Sequence, residues 1–206
     1  MVQAILVAAG ILLAFYLVRQ RGGVAVLENL LHVYAQDELH DPVAIVGDRK
    51  ALEGIKEALD RTLRGLDGKF LSDAVDGEGF NILFLLAADG DDFSLRERPS
   101  IFERCTSPIQ TNVLHVYGQE SWHSESIVVG DKDALGQLRD AVERALQDGE
   151  ASFSSFASAD DRFEVLVKLA ESAELLRALP LPYRAEYAGG CAGRSQEVVQ
   201  LLRNKT

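Results

Sequence analysis

Apolar and polar side chains alternate along 30–36 (LLHVYAQ), a run rich in Leu, Val and Tyr. This predicts a strand with Leu31, Val33 and Ala35 on one face and His32, Tyr34 and Gln36 on the other. After a turn at His40, VAIV at 43–46 predicts a second strand. Gly47-Asp48 ends it, and the Asp48 carboxylate can cap a helix by accepting a free N–H of the first turn. Ala51, Leu52, Ile55, Leu59, Leu63 and Leu66 then recur at helical spacing and mark one buried stripe. Residues 70–75 read as a third strand and Asp76-Gly77-Glu78-Gly79 as a turn. The almost wholly apolar run 80–87 reads as a fourth strand, central in its sheet.

The whole pattern then occurs again. Shifted by 83 positions without a gap, 29–87 falls on 112–170, and 22 of the 59 pairs are identical. LLHVYAQDELH meets VLHVYGQESWH, and AIVGDRKALEGIKEALDRTL meets IVVGDKDALGQLRDAVERAL. The fold class is therefore α+β, a tandem duplication of a β-β-α-β-β module with one helix packed on an antiparallel sheet. Four strands and one helix make a thin core, so the two modules are expected to associate, related by a pseudo-twofold axis with their sheets adjacent or joined. The expected boundaries are 22–105 and 106–188 for the repeats and 189–206 for a C-terminal helix capped at Ser195.

Residues 2–18 (VQAILVAAGILLAFYLV) hold one polar side chain, Gln3, and no charge. As a helix they would span about 25 Å, the short end of what a bilayer core requires. Phe15 and Tyr16 sit where aromatic rings favour the interface, and Arg19 and Arg21 follow. Residues 1–21 thus read as a transmembrane anchor. The arginines on its C-terminal side keep the rest of the chain in the cytoplasm, as in a single-pass inner-membrane protein of a bacterium. A cleaved signal peptide and an internal helix are the alternatives. The first lacks a basic start and a small-residue cleavage site, and the second would be apolar all round.

The formal net charge of −11 repels phosphates and anionic lipid head groups, so nucleic acid is not an expected partner of the folded part. An acidic surface suits a basic protein. Cys105 and Cys191 lie outside the repeated cores, at no metal spacing, and are expected as free thiols or as one bridge between the post-repeat segments. No cofactor fingerprint, phosphate loop or nucleophile elbow is present. All four histidines belong to the repeat: His32 with His115, and His40 with His123. The row His32, Tyr34 and Gln36 recurs as His115, Tyr117 and Gln119. Such a row can be a solvated strand face, a recognition stripe, a face buried between the modules, or the start of a metal site. The binding candidates are these six residues together with His40 and His123, with no catalytic or metal residue assigned.

From Ile127 to Leu169 the strand, Gly-Asp, amphipathic helix, strand, strand pattern (IVVGDKDALGQLRDAVERALQDGEASFSSFASADDRFEVLVKL) resembles small α+β immunity proteins of bacterial toxin systems. The resemblance implies a non-enzymatic protein that sequesters a protein partner. The expected function is therefore a membrane-anchored binding protein that engages its partner through the duplicated sheet. A metal-dependent sensor or hydrolase built on the paired histidines is the alternative.

Overall fold

The computed structural model describes residues 28–38, 40–87, 111–158, 161–183 and 194–204. The predicted order of elements is present twice. Repeat 1 contains β1 (Leu31–Tyr34), β2 (Val43–Gly47), α1 (Arg49–Thr62), β3 (Gly68–Asp73) and β4 (Gly79–Leu86). Repeat 2 contains β5 (Leu114–Tyr117), β6 (Ser126–Gly130), α2 (Lys132–Asp148), β7 (Glu150–Ser158) and β8 (Asp161–Leu169). Two short helices follow, α3 (Ala173–Arg177) and α4 (Ser195–Asn204).

The sheets depart from the expected plan. Neither repeat keeps its four strands together in one antiparallel sheet. One sheet has the order β1-β2-β8-β7 and the other β3-β4-β6-β5, so each takes one hairpin from each repeat. The hairpins join through parallel pairs: Val43–Gly47 against Val165–Leu169, and Ile82–Leu86 against Ser126–Gly130. The helix explains the exchange. Fourteen helical residues carry the chain about 21 Å from the end of β2, so the next hairpin starts across the core beside the other repeat. β4 and β8 are central, as their apolar sequences require.

Both helices and the inner faces of both sheets share one core. Ile55, Leu59, Leu138 and Val142 pack there with Val33, Ile45, Phe80, Phe84, Val128 and Val165. The helices run antiparallel, with Arg49 donating to the Leu146 carbonyl and Arg139 pairing with Asp60. The caps expected on α1 and α2 form: Asp48 accepts from Ala51 N–H, and Asp131 from Ala134 N–H, each at 2.8 Å. The second oxygen of each carboxylate takes the N–H of Leu30 (2.8 Å) or Val113 (2.9 Å), tying helix to strand. The cap expected at Ser195 does not form: Ser195 is the first residue of α4, its hydroxyl has no partner among the described residues, and its N–H donates to Asp37 at 3.2 Å.

The sheets meet at two corners through the isolated bridges Leu30–Asp73 and Val113–Phe156. An asparagine builds each corner. Asn29 and Asn112 adopt positive φ (78° and 69°), which Asn tolerates better than most residues. Their amides donate to Leu71 O and Ser154 O, and their carbonyls accept the hydroxyls of Ser72 and Ser155. The Asn and Ser identities shared by the repeats are thereby accounted for.

Among the described residues no helix is long and apolar enough to cross a membrane. The 2–18 segment, Cys105 and Cys191 lie outside the described residues.

Because each sheet is shared, the two halves should stay together when the connection between them is cut. A protease site inserted between residues 88 and 110 should yield two fragments that co-elute natively and part only in denaturant. Fragments that separate in native buffer would contradict the shared sheets.

Candidate functional site

The His-Tyr-Gln rows of β1 and β5 are interior. His32, His115, Tyr34, Tyr117 and Gln119 are all buried, while Gln36 is half-buried. The solvated-face expectation therefore fails. A recognition stripe on these residues would also require the cover to leave. On the first sheet that cover is visible: Tyr34 packs with Leu30, Ala44, Val46 and Leu166 beneath Leu176 of α3, Leu179, and Val198, Val199 and Leu202 of α4. Arg203 of α4 adds an ion pair with Glu164 at 2.6 Å.

Inside, each row is a hydrogen-bonded unit, and the two units differ. Val75 N–H donates to His32 Nε2 at 3.3 Å, so the proton of the neutral ring sits on Nδ1. Nδ1 lies 2.9 Å from Tyr34 Oη, whose hydroxyl donates to Pro180 O at 2.5 Å. In repeat 2, Nε2 of His115 lies 2.8 Å from Ala157 O, an acceptor. A neutral His115 therefore carries its proton on Nε2 and accepts from Tyr117 Oη at 3.3 Å through Nδ1. Identical residues at equivalent positions thus hold opposite tautomers. Burial pushes the His32 pKa down to about 4 and raises that of the Tyr34 phenol, because each charged form would lose its hydration. Gln36 Nε2 reaches Asp161 at 3.4 Å, while neither amide atom of buried Gln119 has a hydrogen-bond partner among the described residues.

His40 and His123 sit elsewhere, in the turns after β1 and β5. Both have positive φ (67° and 57°) and exposed rings. Each faces a carboxylate of the other repeat. His40 Nδ1 lies 3.0 Å from the buried Asp161, which also accepts the His40 backbone N–H at 2.7 Å. His123 Nε2 lies 2.6 Å from Glu78, and its Nδ1 lies 3.2 Å from Gly79 O. Glu78 and Asp161 are themselves equivalent under the 83-residue shift, so an acid faces a histidine across the repeats twice. These partners were in the sequence but lay inside a turn and at a strand start, with nothing to indicate that they cross between repeats. Two histidines thus serve the interior and two serve inter-repeat clasps. Among the described residues no three His, Cys, Asp or Glu side chains are close enough to hold a metal.

The largest solvent-exposed aromatic is Trp122, in the β5–β6 loop beside His123 and 58% exposed. Exposed Glu120 and Asp76 and half-buried Glu125 and Glu78 belong to this loop and to the β3–β4 turn clasped to it by His123. Leu71 on β3 is also exposed. Sequence reading gave Trp122 no role, because position 39 of repeat 1 is Leu.

Comparison with known proteins found no matching family model, no matching curated protein and no matching solved structure.

Two outcomes follow for the buried row. His32 has a folded pKa near 4 against 6.5 in an unfolded chain, so the unfolded state binds the proton first. Its neutral form contributes full stability above pH 6.5. That contribution is lost as pH falls toward 4 and amounts to about 3 kcal/mol. Urea melts across this range should show the parent losing more stability than His32→Gln; parallel curves would refute the assignment. Tyr34→Phe removes the donor to Pro180 O and should cost about 1–3 kcal/mol, whereas an unchanged melt would show that this bond does not matter.

Proposed function

We propose that the protein is a non-enzymatic binding protein that captures a basic protein partner and is held at the bacterial inner membrane by residues 2–18. The observation that carries the reading is Trp122, an exposed indole on a loop with Glu120 and Glu125, clasped to a turn with Asp76 and Glu78. Large aromatics of this kind act as anchors at interfaces because they bury much area at little entropic cost. Surrounding carboxylates favour a cationic partner and speed its arrival. The net charge of −11 supports the same partner chemistry, as does the resemblance to immunity proteins, which implies sequestration.

The contact surface proposed is thus the β5–β6 loop with the β3–β4 turn, in place of the buried faces of β1 and β5. In this reading the anchor leaves the folded part on the cytoplasmic side, where the partner is met.

Capture from native membranes by tagged parent and Trp122→Ala proteins tests the reading. The parent should retain a basic protein at low salt and release it as salt rises. Trp122→Ala should weaken capture at least tenfold while melting at the parent temperature. Equal capture by both proteins would remove Trp122 from the contact, and a partner of acidic character would end the charge argument.

A further inference from the structure

We propose that the β3 edge of repeat 1 lies against the surface of an anionic phospholipid bilayer, with Leu66 and Leu71 at the headgroup boundary and Arg64 and Lys69 on the phosphates. The proposal rests on the reading of residues 2–18 as a membrane anchor and adds which side of the fold the lipid meets.

The contrast between the repeats carries it. β3 and β7 are equivalent edge strands, and both edges are closed to a further strand. Ala74 N–H donates to Glu78 O, so the backbone of Ala74 turns toward β4 and that of Lys69, Leu71 and Asp73 turns outward. Arg61 donates to Lys69 O, Asn29 Nδ2 donates to Leu71 O, and Asp73 N–H donates to Asn29 O. Arg144, Asn112 and Phe156 repeat these bonds around Ser152 and Ser154. A contact at either edge must therefore use side chains. Those side chains differ. Repeat 1 exposes Arg64, Leu66, Lys69 and Leu71, with the leucines 59% and 62% exposed. The 83-residue shift puts Gln147, Gly149, Ser152 and Ser154 in their places. Residues 61–73 hold three cations and two acids, against one cation and two acids in 144–156. This edge is thus a cationic exception in a chain of net charge −11, and one of its acids, Asp67, accepts Lys69 N–H at 3.1 Å. Exposed leucines flanked by Arg and Lys suit a lipid interface, where the apolar groups leave water and the cations meet phosphate.

The entry of the chain points the same way. Asn29, whose amide holds Leu71 O at 2.8 Å, is the second of the described residues. Ten residues, 19–28, separate it from the proposed anchor. Even fully extended, that length keeps the Asn29 corner within about 40 Å of the bilayer. Of the two equivalent edges, the one with leucines and cations is the one beside this tether.

The test uses the full chain in vesicles of phosphatidylglycerol and phosphatidylcholine, with part of the latter brominated near the headgroup. Trp122 is the one tryptophan of the sequence, so Trp122→Phe gives a dark background. In it, Leu71→Trp should lose at least about half its emission to the brominated lipid, as befits a side chain at the headgroup boundary. Ser152→Trp, on the other edge, should keep its emission. Adding Arg64→Glu and Lys69→Glu to Leu71→Trp should abolish the quenching. Leu66→Trp supplies the same readout if Leu71→Trp alters the melt. A chain that floats with the vesicles but is quenched at neither leucine position would overturn this proposal and leave the anchor standing. A chain that does not float would overturn both readings. Equal quenching at Leu71 and Ser152, or quenching that survives the charge reversal, would also overturn it. Emission from Leu71→Trp that shifts with the protein-to-lipid ratio, without quenching, would give the edge to a second copy instead.

Discussion

Everything in this fold depends on two parallel strand pairs, β2 with β8 and β4 with β6. Each hairpin by itself is a two-stranded ribbon, which is marginal in water. The parallel seams turn four such ribbons into two sheets, and the sheets then enclose the helices. Their register also decides which side chains meet. Val43 opposite Val165 puts the same faces of both repeats toward the core, and a slip by one residue would turn those faces outward. The asparagine corners join the two sheets from within one repeat, whereas the histidine clasps cross from one repeat to the other.

Burial explains the identity of the His-Tyr rows. A polar row in the interior must satisfy its donors and acceptors within the protein. His32 and Tyr34 do this in sequence, ending on a carbonyl of the segment that covers them. His115 does it with the opposite ring nitrogen on Ala157 O. Imidazole permits both arrangements because its proton can sit on either nitrogen, so one residue type serves two slightly different surroundings.

Much of the fold was legible because local rules determine it. Helical spacing of Leu52, Ile55 and Leu59, the Asp caps and the apolar run of β4 gave element type and most limits within a residue or two; the exception is the end of α1, where the expected buried stripe ran on to Leu66 but the helix stops at Thr62 and Leu66 is exposed. The 83-residue shift gave the duplication. Strand exchange was not legible: a duplicated sequence is satisfied equally by two closed modules and by two shared sheets, and periodicity does not distinguish them. The candidate residues were legible as a set, because all recur, but their use was not. The alternation of His32 and Val33 shows that they face opposite ways. It does not show that α3 and α4 cover the polar side. The Asp161–His40 and Glu78–His123 clasps depend on tertiary approach of turns distant in sequence. Trp122 carried no repeat signal at all.

A symmetric structure need not be assembled symmetrically. Ile82 and Ser126 pair at a separation of 44 positions, whereas Val43 and Val165 pair at 122. Synthesis at about 5–20 residues per second therefore supplies the partner of β4 within about 2 to 9 s. The partner of β2 arrives only after about 6 to 24 s. During that interval the β1–β2 hairpin presents an open hydrogen-bonding edge, the feature most prone to pair with a neighbouring chain. The second sheet is thus the kinetic half of the molecule and the first its completion. Delay near the end of translation would leave the first half of the chain the more exposed to misassembly.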